Sequence, residues 1–220
     1  MLLAMSLMRE SEGRLRRDAE RNRRRLIQAA GELLREHGLD TPLDEIARRA
    51  GVGNATLYRR FPTREELYEA VFAESGELLA EIGDRVLAIE DGWTALVSYL
   101  EEICAFMATD RGLSDLMTEW MPRSPALNEI RLRNDAVVRE LLERAQRQGV
   151  VRPDVGFTDL AFILCSLQRV IPASSAVCPD AWRRHLAITL DGLRPRPDST
   201  LPPTALSYEQ LQALAPHFHR

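Results

Sequence analysis

At 220 residues the chain is long enough to bury one or two apolar cores, and its 45% hydrophobic and 28% charged content is that of an ordinary globular protein. No apolar run approaches the roughly 18 residues needed to span a bilayer. The opening MLLAMSLM lacks the basic flank and cleavage site of a signal peptide, and Cys104, Cys165 and Cys178 are too scattered for a disulfide framework or metal site. Membrane insertion, export, bound metal and cofactors are therefore not expected, and the cytoplasm is the expected compartment. The net charge of −4 is unevenly spread: residues 1–64 hold 14 Arg against 9 acidic side chains, and residues 65–220 hold 15 against 24. A basic segment joined to an acidic body suits a protein that meets a polyanion with one end only.

Helical periodicity dominates the chain and no segment alternates for long enough to make a strand, which predicts an all-α fold. Residues 1–18 are polar, charged and uncapped, and are expected to form a flexible basic arm. The first helix is predicted from about Glu20 to His37, with Leu26, Ala30, Leu33 and Leu34 on one face and Gly38 closing it. Thr41 offers a cap and Pro42 suits the first helical position of a short helix, Leu43–Ala50, which ends at Gly51. Another short helix, Asn54–Phe61, stops at Pro62. Thr63 then caps a long fourth helix with Glu65 and Glu66 in its first turn, where negative charge complements the helix dipole. Further helices are predicted over Trp93–Thr109, Leu113–Met121, Ala126–Gln148, Phe157–Ile171 and Pro179–Leu193. A Pro-rich tail, residues 196–220, follows, with Ser207 capping a last helix over Tyr208–Leu214.

The informative stretch is residues 42–61, PLDEIARRAGVGNATLYRRF, two short helices around a glycine turn. This is helix-turn-helix spacing, although a plain helical hairpin uses similar residues. Ala47 is small where the helices approach, Gly51 permits a positive φ, and Ile46, Val52 and Leu57 point inward. The other face of the third helix offers Asn54, Ala55, Thr56, Tyr58, Arg59 and Arg60, whose hydrogen-bonding, methyl and cationic groups suit a DNA major groove. Arg21, Arg23, Arg24 and Arg25 precede the first apolar turn.

The run from Arg24 to Leu67 resembles the N-terminal domain of the TetR family of transcription regulators. The matching positions are Ile46–Ala47, Ala50–Gly51–Val52, Thr56–Leu57–Tyr58, Phe61, Arg64 and Leu67. Gly53, Arg60 and Arg64 stand where the family often has Ser, His and Lys. The resemblance implies a three-helix DNA-binding domain over residues 19–80, with its helix-turn-helix near 42–61, then a helical regulatory and dimerisation domain over 81–195. It implies that Tyr58 and Arg64 contact phosphates and that Thr56 touches a phosphate or a thymine methyl. Gly53, Asn54, Ala55 and Arg60 would lie nearest base edges, with Arg59 a second candidate reader of guanine. Arg21, Arg23 and Arg24 would reach the backbone or the minor groove, and Thr41 is counted with the DNA-facing set.

In the body, Phe157, Leu160, Leu164, Leu167 and Ile171 form one apolar stripe and Trp182, Leu186, Leu190 and Leu193 another. Either they build the core of one chain or, as the resemblance implies, they pair with a second copy in a homodimer. Trp93, Phe106, Met107, Met117, Trp120, Met121 and Phe162 supply apolar, adaptable surface for a small-molecule pocket or for ordinary core, and Gln168 and Arg169 are polar groups within an apolar helix. No catalytic triad or Gly-rich phosphate loop is visible, and His37, His185, His217 and His219 are scattered, so the chain is not read as an enzyme. The expected partners are an operator duplex, a second copy and a small apolar effector. The alternative is a DNA-binding regulator with no small-molecule inducer.

Overall fold

The computed structural model describes residues 2–109, 125–202 and 205–218, and within these the backbone alone of residues 2–17, 74, 212 and 215–218. Among the described residues every regular element is a helix, and none is long and apolar enough to cross a membrane. The N-terminal helix α1 spans Leu2–His37. Residues 2–18 thus continue a helix instead of forming the expected arm. Their Leu, Met, Ala, Arg and Glu are good helix formers, but they carry no apolar periodicity for a pattern reading to detect. At the other end Gly38, at φ 77°, donates its N–H to Leu34 O at 2.8 Å and closes the helix.

Helix α2 spans Leu43–Ala50, as predicted, and α3 spans Asn54–Arg60 with Phe61 as its C-cap. Helix α4, Arg64–Leu87, begins at Thr63, whose hydroxyl oxygen accepts from Glu66 N at 3.2 Å. Thr41 does not cap α2. Pro42 holds the cap position, and the Thr41 hydroxyl turns back to donate to Gly38 O at 2.9 Å.

The body contains α5 (Gly92–Thr109), α6 (Pro125–Arg147), α7 (Phe157–Ser175), α8 (Ala181–Gly192) and α9 (Tyr208–Phe218). The helix predicted over Leu113–Met121 lies outside the described residues. Helix α7 runs a turn beyond its expected end at Ile171, through Pro172; the Ser174 hydroxyl donates to Val170 O at 2.8 Å in that turn.

Two apolar cores result. The first joins Leu26, Ala30 and Leu33 of α1 to Ile46, Ala47, Leu57 and Leu67. The second runs from Leu34, Leu39, Tyr68 and Phe72 through the whole body. Helix α4 therefore supplies consecutive residues, Leu67 and Tyr68, to different cores. Its contact with α6 is tight: a Cβ on Gly76 would lie 2.8 Å from Ile130 Cδ1, and one on Gly83 would lie 3.0 Å from Val137 Cγ2.

The stripes expected to pair two copies are instead interior. Phe157, Leu160, Leu167 and Ile171 of α7 and Trp182, Leu186 and Leu190 of α8 are all buried within one chain, and Leu193 with them, while Leu164 is half-buried against the same core. Periodicity marks a face that leaves water, and here α5 and its neighbours already cover that face.

The C-terminal segment is strapped to the body rather than trailing from it. Arg152 Nη2 donates to Ser199 O at 2.9 Å, and Leu201 N donates to Asp154 Oδ2 at 2.9 Å. The Arg152 guanidinium, with this backbone donor, holds the Asp154 carboxyl well below the usual range. Ser207 and Gln210 form a reciprocal cap, Leu211 is buried, and the Tyr208 hydroxyl meets Arg131 and Asp135 on α6.

Burial also separates the thiols. It pushes Cys104 up to about 12, while Cys178 is exposed. A neutral-pH alkylating reagent should label Cys178 within minutes and spare Cys104 until denaturant is added. Mass spectrometry of the labelled peptides reads this directly; early labelling of Cys104 would contradict its place in the core.

Candidate nucleic-acid interface

Ile46 and Ala47 of α2 and Leu57 of α3 are buried against α1, which fixes how α3 is turned. Gly51, at φ 67°, makes the bend between α2 and α3, and Val52 N donates to Ala47 O at 3.0 Å. With Leu57 inward, Asn54, Ala55, Tyr58 and Arg59 are exposed together on the opposite face, with Gly53 exposed at the helix start and Thr56 half-buried on the flank. Gly53 caps α3 without a side-chain hydrogen bond.

Arg60 departs from that face. It follows buried Leu57 by three residues, is half-buried, and its Nε is buried with no hydrogen-bond partner among the described residues. Arg59, not Arg60, therefore takes the outward position. From α1, Arg21, Arg23 and Arg24 are exposed. Arg23 lies over the Phe61 ring at 5.5 Å, which brings it beside the end of α3. Arg21 pairs with Asp18 at 3.0 Å and Arg24 with Glu20 at 3.7 Å.

Two members of the expected set are turned inward. Thr41 is 1% exposed, with its hydroxyl donated to the Leu33 carbonyl of α1 and the Gly38 carbonyl just after it, so its side chain offers nothing to a duplex. Arg64 is half-buried, and its Nη1 lies 3.0 Å from Leu39 O, 3.1 Å from Thr41 O and 2.9 Å from the Tyr68 hydroxyl. Sequence reading missed Tyr68. The available signal was its place one helical turn after Arg64.

The residues expected to line a pocket do not converge. Trp93 sits under the Arg194 guanidinium at 3.5 Å. Phe106, half-buried, and Met107, in the core, come 13 and 14 positions later on α5, about 20 Å further along at 1.5 Å per residue. Phe162 is 41% exposed on α7, Arg169 is exposed and Gln168 half-buried. Met117, Trp120 and Met121 lie outside the described residues. Among the described residues a groove of about 510 Å³ runs between α4 and α6, walled by Glu69, Glu77, Glu81, Glu129 and Ile130. Another, of about 480 Å³, lies between α7, α8 and the C-terminal segment, beside Phe162, Ile163, Leu201 and Leu206.

Residues 26–71 match the family model of bacterial regulatory proteins of the tetR family, and residues 91–195 match the C-terminal domain of SbtR-like transcriptional regulators. A TetR transcriptional regulator from Streptomyces coelicolor is 31% identical, with a TM-score of 0.50, over 79% of this chain and 98% of its own. RolR, solved with its ligand resorcinol, shares the fold at 21% identity and a TM-score of 0.51 over 92% of this chain and 94% of its own. The regulator SrpR of Pseudomonas putida is 38% identical over 81 residues, 36% of this chain and 38% of SrpR, so the match spans little more than a third of that relative. The matched residues contain the whole helix-turn-helix and most of the helical body, and the chain belongs to the TetR family of bacterial transcriptional regulators.

Proposed function

We propose that the chain binds a palindromic operator duplex as a homodimer and represses transcription until a small ligand releases it. One observation carries the DNA-binding part: packing of Ile46, Ala47 and Leu57 leaves Asn54, Ala55, Tyr58 and Arg59 as one exposed polar face, with Arg23 beside it. A helix this short reads only a few base pairs. A two-fold pair placing two such helices about 34 Å apart, in successive major grooves, reads enough to be specific. Exposed Ile188, at 63%, and Phe162 on α8 and α7 supply apolar surface for the second copy. The ligand-released reading is supported by α4, which belongs to both cores, and by RolR, a protein of the same fold solved with resorcinol.

The scatter of Trp93, Phe106, Phe162 and Arg169 favours a second reading, a DNA-binding regulator controlled without a small-molecule inducer. Selecting bound sequences from random duplexes, then competing them with candidate ligands, tests both readings. Recovery of no preferred sequence would remove the first claim, and a preferred sequence that no ligand displaces would favour the second.

Residue roles are separable. Asn54→Ala and Arg59→Ala should change preference at particular base pairs by on the order of 1–3 kcal/mol, whereas Tyr58→Phe should weaken all sequences alike. Titrations against single-base operator variants read this. The assignment fails if Tyr58→Phe alters preference and the other two are silent.

A further inference from the structure

Arg64 is the first residue of α4, the end of a helix whose dipole disfavours a cation. Its position is explained by acceptors elsewhere. Nη1 reaches Leu39 O at 3.0 Å and Thr41 O at 3.1 Å, both in the connection from α1 to α2. One turn along α4, the Tyr68 hydroxyl donates to the same Leu39 carbonyl at 2.5 Å and accepts from Arg64 Nη1 at 2.9 Å. The guanidinium also lies 5.8 Å from the Tyr68 ring centroid. Tyr68 is 1% exposed and meets Phe72 edge-on at 6.2 Å, so this hydroxyl is held by the body's core. Leu39 belongs to that core too, whereas Ile46 and Ala47, a few residues later, belong to the other. The Thr41 hydroxyl ties the connection back to Gly38, leaving it little freedom of its own.

We propose that Arg64 and Tyr68 form a clasp that sets the helix-turn-helix relative to α4, so that Arg64 is a positioning residue and not a phosphate contact. The proposal rests on the DNA-binding reading above for its functional consequence. The clasp joins carbonyls immediately before α2 to side chains on α4, the helix that contributes to both cores. Any displacement of the first turn of α4 is handed to α2, and α3 moves with α2 through Ala47, Val52 and Leu57. All three contacts converge on Nη1, whose two hydrogens they share; a lysine would keep the charge, but its ammonium ends one bond nearer the backbone than Nη1 and falls short of these acceptors.

Two measurements on the full chain test this. In the first, operator affinity is followed against salt for Arg64→Ala, Arg64→Lys and Tyr68→Phe. All three should bind roughly tenfold or more weakly at fixed salt, with the slope of log affinity against log salt unchanged. A lost phosphate contact would instead lower the slope by about 0.9 per contact, and a phosphate role would let Arg64→Lys bind like the parent. In the second, amide hydrogen exchange is measured without DNA. Amides of residues 43–50 should exchange roughly tenfold faster in Arg64→Ala and in Tyr68→Phe, which keeps the ring, while those of α7 do not change. A reduced slope for Arg64→Ala, parent-like binding by Arg64→Lys, or unchanged exchange over 43–50 would each overturn the proposal. If the parent chain binds no duplex, the functional reading fails, and the exchange experiment still decides whether the clasp exists.

Discussion

Ile188→Asp combined with Phe162→Asp should leave a folded monomer, whereas Trp182→Asp should leave no folded protein. Trp182 is 2% exposed in a single chain, with the Arg183 guanidinium 4.4 Å from its ring centroid. Truncating a buried Trp costs about 3–5 kcal/mol, and an unpaired carboxylate in its place adds to that. Against a total stability of roughly 5–15 kcal/mol the loss is decisive. Ile188 is 63% exposed, and a charge there costs one chain almost nothing. In a two-fold dimer each substitution is met twice, and every buried carboxylate is unpaired. Dissociation should therefore strengthen at least a hundredfold, on the order of 3 kcal/mol. Sedimentation velocity gives the oligomeric state and circular dichroism the fold. A double variant that stays folded and dimeric would place the interface elsewhere, and a folded Trp182→Asp chain would contradict its burial.

What the sequence made legible was local chemistry. Gly38 and Gly51 close their helices in left-handed conformations, Thr63 caps α4, and α2 keeps its predicted bounds, although Pro42 and not Thr41 holds its cap position. The inward set Ile46, Ala47 and Leu57 was legible because three- and four-residue spacing defines a face. What covers a face is a different question. The α7 and α8 stripes leave water as expected, yet their partners are helices of the same chain, and among the large apolar side chains described on α7 and α8 it is Ile188 and Phe162, outside those stripes, that are exposed. The pocket set failed for a related reason: composition gathers Trp93 and Phe106, but rise along α5 separates them. Arg64 shows the limit most directly. Its family position suggests a phosphate, while its observed acceptors lie 23 and 25 residues earlier, in a connection that no periodicity describes.

Raising salt from 50 to 200 mM should weaken operator binding on the order of 10³–10⁵-fold if a dimer neutralises about 6–10 phosphates. The charge distribution supports a number in that range: residues 1–64 carry 14 Arg against 9 acidic groups, and Arg21, Arg23, Arg24 and Arg59 are exposed on or beside the candidate face. The pairs Arg21–Asp18 and Arg24–Glu20 do not prevent this. Surface pairs of this kind are worth about 0–1 kcal/mol and exchange readily for phosphate. The remainder of the chain, with 15 basic against 24 acidic groups, repels the duplex and orients the approach. Arg24→Ala should lower the salt slope by about 1.8, one contact of about 0.9 from each protomer, and Asn54→Ala should lower affinity for the selected operator with the slope intact. Fluorescence anisotropy over a salt series measures all three slopes. A parent slope near zero, or equal affinity for random and selected duplexes at every salt, would mean that this face does not read DNA.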